Sequence, residues 1–138
     1  MALARFVPAR GTAAAVLDVA RYELSGLSQA VLAGQMDRAQ RILDGLEAEG
    51  EAAVLVFNTL AGDVRALARA CTAMTDGEPM PLALRSAGVW GDRQRALERI
   101  LPRVNRASIL RLLIDTHRVD GIVKGLRVPD WPTGAWPA

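Results

Sequence analysis

Aromatic residues make up only 4% of this 138-residue chain, which holds one cysteine, one histidine and one lysine. Each scarcity removes a class of chemistry. The lone Cys71 forms no internal disulfide, so the chain reads as intracellular and is expected in the cytoplasm. One cysteine and one histidine exclude a zinc site built from those two ligand types alone. There is no run of 18 apolar residues, so no membrane span is expected. The opening MALARFVPARGTAAAVLDVA interrupts its apolar residues with arginines, which argues against a secretory signal. No stretch alternates well enough to make a strand, and no repeat recurs at a fixed period. AVLAGQMDRAQRILDGL has the spacing of one helical-hairpin unit, but a single unit does not build a solenoid.

What remains is rich in alanine and leucine, with 51% hydrophobic residues. Such a composition favours helices packed closely on helices. The net charge of +2 conceals an asymmetry. Residues 37–78 carry four basic and eight acidic side chains, whereas residues 85–127 carry ten basic and four acidic ones. A basic half of this kind suits a solvated helical face or a polyanionic partner. The near-exclusive use of arginine for positive charge is best explained by a GC-rich genome.

Helical periodicity organises the chain. Residues 1–13, with Pro8 and Gly11, read as a tail or linker. AAVLDVARYELSGLSQAVLAG predicts one helix or two short ones stopping at Gly34. QMDRAQRILDGLEAEG follows as a helix with Met36, Ala39, Ile42, Leu43 and Leu46 inward, antiparallel to its predecessor. A long helix from about Glu51 to Met74 shows the stripe Ala53, Phe57, Leu60, Val64, Leu67 and Cys71. Glu51 is placed at its positive end, and Gly62 predicts a close helix crossing. A short helix is expected at 81–86. Another runs from about Gly91 to Leu101, capped by Asp92, with Ala96, Leu97, Ile100 and Leu101 inward. Pro102 stops it. The last helix covers about Ala107 to Lys124, capped by Asn105, with Leu110, Leu113 and either Thr116 or His117 near one face. The expected fold is all-α, a compact bundle of about five to six helices over residues 14–131, with an irregular tail at 132–138.

The segment VDGIVKGLRVPDW places Lys124 between Gly121 and Gly125. It is not a phosphate loop. Such a loop lies between a strand and a helix, and its lysine is followed by Ser or Thr. Here the segment ends a helix, where Lys124 complements the negative C-terminal dipole and Gly125 is the stop. His117 has no second catalytic group spaced beside it. Cys71 lies on an apolar stripe with no cationic neighbour to activate it. Asp115 and Asp120 are five residues apart, on different faces of one helix. No catalytic, cofactor-binding or metal-binding residue is therefore assigned.

The segments ARYELSGLSQAVLAG (in the 19–34 region), DRAQRILDGLEAEGEAAVLVF (37–57), DVRALARA (63–70), VWGDRQRALERIL (89–101) and VDGIVKGLRVPDW (119–131) occur in a telling order. In that order and spacing the chain resembles the C-terminal domain of the bacterial DNA polymerase III delta subunit, a clamp-loader subunit. The resemblance spans roughly residues 15–131. It implies a helical collar that assembles with the matching domains of the gamma/tau and delta-prime subunits. Around primer–template DNA, the resulting five-membered ring holds the ATPase modules in order. It also implies two preceding domains like AAA+ ATPases, which contact the sliding clamp and to which nothing in these 138 residues corresponds. The collar would itself be no enzyme, although the family belongs to the polymerase holoenzyme, a nucleotidyltransferase complex. The loop after the Lys-Gly turn would lie near template DNA, which puts Lys124, Leu126 and Arg127 there. The family sometimes has an aromatic in that loop where this chain has Leu126. Where the family commonly continues WxEL into a helix, this chain has WPTGAWPA.

Trp90 and Trp131 are the candidate interface anchors, and Trp136 is a third large apolar group near the chain end. The residues alone also fit a stand-alone helical DNA-binding module or a helical-repeat peptide binder.

Overall fold

The computed structural model describes Val19 and residues 21–134, among which every regular element is helical. Helix α1 covers 21–32. It is followed by α2 (Met36–Ala48), α3 (Ala53–Thr75), α4 (Met80–Ser86), α5 (Gly91–Ile100), a 3₁₀ turn (Leu101–Arg103) and α6 (Arg106–Val123). The fold is all-α, as expected. Residues 1–18, any helix start near residue 14, and Trp136 lie outside the described residues.

Gly34 sets the first hairpin. It takes φ of 73°, where a side chain would meet a steric penalty. The amides of Gly34 and Gln35 donate to the carbonyls of Val31 and Ala30 at 3.1 and 2.8 Å. This closes α1 as a Schellman turn and sends α2 back along it. Gly26 accordingly faces Ile42 and Arg38. Of the stripe expected on α2, Ala39 and Leu46 are buried, Ile42 and Leu43 half-buried, and Met36 is exposed at the helix start.

α3 is the axis of the bundle. It buries Val56, Phe57, Ala61, Asp63, Ala66, Leu67 and Ala70. The predicted stripe is thus only partly right. Phe57 and Leu67 are buried, but Ala53, Leu60, Val64 and Cys71 are half-buried. The most enclosed arc runs through alanines, because neighbouring helices approach closest where side chains are small. Glu51 does not belong to the first turn of α3, whose N-cap is Ala52. Its amide donates to Leu46 O at 2.9 Å and closes α2 instead. Nor does a helix cross at Gly62. The neighbour there is the Arg93 guanidinium, 3.8 Å from where a Cβ would stand.

Two apolar clusters lie along α3. The first joins Leu24, Leu27, Ala30, Ala39, Leu46 and Val56 from α1, α2 and the start of α3. The second joins Ala66, Leu67 and Ala70 to Ala83 and Leu84 of α4 and to Leu97 and Leu101 beyond. A polar clasp connects α1, α3 and α5. Ser28 Oγ donates to Asp63 Oδ2 at 2.6 Å, and Arg93 Nε donates to Asp63 Oδ1 at 2.7 Å. The Asp63 side chain is only 6% exposed, so both its oxygens need these donors.

The caps of α5 and α6 differ. Asp92 does not cap α5, whose N-cap is Trp90 without a side-chain bond. Asp92 sits inside the first turn and takes the Arg95 guanidinium. That hydrogen bond, reinforced by the carboxylate charge, raises the Arg95 pKa above its ordinary value. Asn105 does cap α6, its Oδ1 accepting from the Ser108 amide at 2.8 Å.

Candidate functional site

The Lys-Gly turn is a helix stop. Gly125 takes φ of 83°, and the amides of Gly125 and Leu126 donate to Ile122 and Gly121 carbonyls at 2.9 and 2.8 Å. Lys124 Nζ donates to Asp120 Oδ2 at 2.6 Å, on the preceding turn of α6. Carbonyls and a carboxylate surround this lysine, which gives the turn the wrong polarity for a phosphate. Leu126 then folds back on the helix. Its Cβ and the Cγ2 methyl of Val128 stand 3.8 and 3.6 Å from the point a Gly121 Cβ would occupy. Leu126 remains 65% exposed, and Arg127 is exposed beside it.

Further along the loop, Asp130 adopts φ of 64°, a left-handed value that aspartate tolerates. Trp131 follows, half-buried, with the Arg118 guanidinium 5.8 Å from its ring centroid. That distance permits a cation–π contact. Trp131 also borders a groove of about 340 Å³ against Leu43, Phe57, Leu60 and Ile122, with Asp44 and Glu47 on the rim. Much of this tryptophan is therefore engaged within the chain. Trp90 is different: at the N-cap of α5 it is 71% exposed. The two candidate anchors belong to separate places, α5 and the loop after α6.

α6 carries an unburied apolar stripe. Only Ile109 and Ile122 are buried in this helix, while Leu110 and Ile114 are each 51% exposed. Leu110, Ile114, His117 and Gly121 are spaced i, i+4, i+7 and i+11, which puts them on one face. Leu126, lying over Gly121, prolongs that face past the helix end. His117 is exposed on it and Cys71 is half-buried on α3. Asp115 pairs with Arg118 at 3.1 Å, and Asp120 with Lys124, so the two carboxylates are separately engaged. Among the described residues no three His, Cys, Asp or Glu side chains gather as a metal site. No helix among them is long and apolar enough to cross a membrane.

Two arrangements went unnoticed in the sequence. The Ser28–Asp63–Arg93 clasp was signalled by an acidic residue inside LAGDVRAL, at a position flanked by buried-face alanines. A row of arginines along α5 and the 3₁₀ turn after it was signalled by GDRQRALERILPR, where Arg95, Arg99 and Arg103 recur every four residues. Comparison with known proteins adds nothing to this description, since no family model, curated protein or solved structure matches the chain.

Proposed function

We propose that this chain is the collar module of a bacterial clamp-loader delta subunit, a cytoplasmic assembly domain of the DNA replication machinery. In this role it joins gamma/tau and delta-prime collars in a ring around primer–template DNA. Contact with the sliding clamp then belongs to domains preceding the collar. The domain itself contributes packing surface and no chemistry.

The observation that carries the reading is the outer face of α6. Leu110, Ile114 and Leu126 are each at least half exposed along one continuous stripe. Large apolar side chains exposed in a row are what an assembly interface buries. The order of the five resembling segments is what favours clamp-loader subunits as the partners. Trp90, exposed at the start of α5, is a second anchor for a sister subunit, in a residue type that often dominates binding energy.

The test is size-exclusion chromatography of the chain mixed with gamma/tau and delta-prime collar domains at micromolar concentration. A stable complex is expected, and Leu110→Gln with Ile114→Gln should dissolve it. Failure of the unaltered chain to co-elute, with all components folded, would refute the assignment.

A further inference from the structure

A groove of about 550 Å³ runs between the α1–α2 turn and α5. Asp92, Arg95, Ala96, Arg99 and Ile100 line it from α5, at the spacing of one helical face. Arg103 extends the row onto the 3₁₀ turn, and Arg38 reaches in from α2. Of these four arginines, among the described residues only Arg95 has a carboxylate in ion-pair reach, that of Asp92. Arg38 donates to Gln35 Oε1 at 3.1 Å, and Arg99 to the Arg95 carbonyl at 3.3 Å. Four guanidinium groups against one carboxylate leave three positive charges uncompensated in the groove.

We propose that this groove binds the phosphate backbone of a single-stranded nucleic acid. Arg95 and Arg99, four residues apart, are about 6 Å apart along the α5 axis, and Arg103 continues the row on the 3₁₀ turn. That separation resembles the distance between successive phosphates in an extended strand. Half-buried Leu32 and Ile100 supply an apolar floor on which sugars and bases rest. One file of arginines fits one strand, whereas a duplex presents two phosphate rows. The inference goes beyond the collar reading and does not rest on it: the groove shares no residue with the α6 stripe or the Lys124–Trp131 loop, and needs no sister subunit.

The test is fluorescence anisotropy of the full chain with a fluorescein-labelled oligothymidylate across a salt series. Three neutralised phosphates predict a log–log salt slope of about −2. Arg95→Gln/Arg99→Gln/Arg103→Gln should weaken binding by about tenfold or more and flatten that slope. Arg85→Gln/Arg106→Gln/Arg111→Gln removes the same charge from exposed positions outside the groove and should change affinity by less than about threefold. Thermal melts establish that both variants fold, and Arg99→Gln alone replaces the first if it does not. Equal loss from both triple variants would reduce the effect to a diffuse field and overturn the site. So would tighter binding of polyglutamate than of the oligonucleotide, or no binding by the unaltered chain at low salt. Self-association that only the groove variant abolishes, without nucleic-acid binding, would assign the groove to a second copy's acidic face and likewise overturn the proposal.

Discussion

Among the described residues, α3 and α6 are the two longest helices, at 23 and 18 residues, and both are rich in apolar side chains. Their surroundings differ. α3 has α4 and α6 against it and contributes to both apolar clusters, so it buries seven residues, one of them charged. α6 rests on α3 along one side, buries two residues, and leaves Leu110, Leu112 and Ile114 exposed. Apolar content alone therefore does not decide burial. The number of neighbours that reach a helix does, and α6 is the long helix that the described residues leave incompletely covered. Burial contributes roughly 25 cal/mol per Å² of apolar surface, so the outer side of α6 holds unused binding free energy.

The strongest way to test this contrast is to truncate matched side chains on the two sides. Leu84 lies in α4, a helix of seven residues packed on α3, and its side chain is fully enclosed. So short a helix has little stability of its own and depends on such contacts. Leu84→Ala should cost about 2–5 kcal/mol in chemical denaturation. Ile114→Ala on α6 should cost less than about 1 kcal/mol, because the site is half open to water already. Similar costs at both sites would erase the distinction between a surrounded α3 and an open α6.

The charged pairs offer a second test of smaller size. Asp63 on α3 is enclosed and holds Ser28 and Arg93, whereas Asp120 on α6 holds Lys124 at the surface. Removing one partner of a buried pair costs about 3–5 kcal/mol. Arg93 is 39% exposed and regains water, so Asp63→Ala should cost nearer about 2–3 kcal/mol. Asp120→Ala should cost at most about 1 kcal/mol, the range of solvent-exposed pairs. An Asp63→Ala variant as stable as the unaltered chain would mean that the clasp is not closed in solution.

The same contrast explains what could be read from the sequence. Helix type, order and approximate ends were visible, because Gly34, Gly50 and Gly125 punctuate strong 3.6-residue periodicity. The Asn105 cap was visible for a similar local reason. Asp92 misled, since a capping residue and a first-turn acid are one or two positions apart in sequence. The buried arc of α3 was displaced from its predicted stripe because alanine reads weakly as apolar, yet permits the closest approach. The clasp at Asp63 depends on residues 35 and 30 positions away, a separation that local pattern does not encode. On α6, periodicity showed apolar residues on nearly every side. It gave no means to tell which side α3 would cover, and so which would stay open.

The smallest predicted stability effect is the most informative about α6. Leu110→Gln with Ile114→Gln replaces two half-exposed side chains with a residue of good helix propensity. Neither change removes a buried contact, and the new amides remain hydrated. The stability of the isolated chain should therefore shift by no more than about 0.5 kcal/mol, in either direction. A loss above about 1.5 kcal/mol would place those side chains inside a contact that the exposed stripe denies. A neutral result together with loss of the collar complex would separate the two helices by role: α3 stabilises the chain itself, and α6 stabilises its association with others.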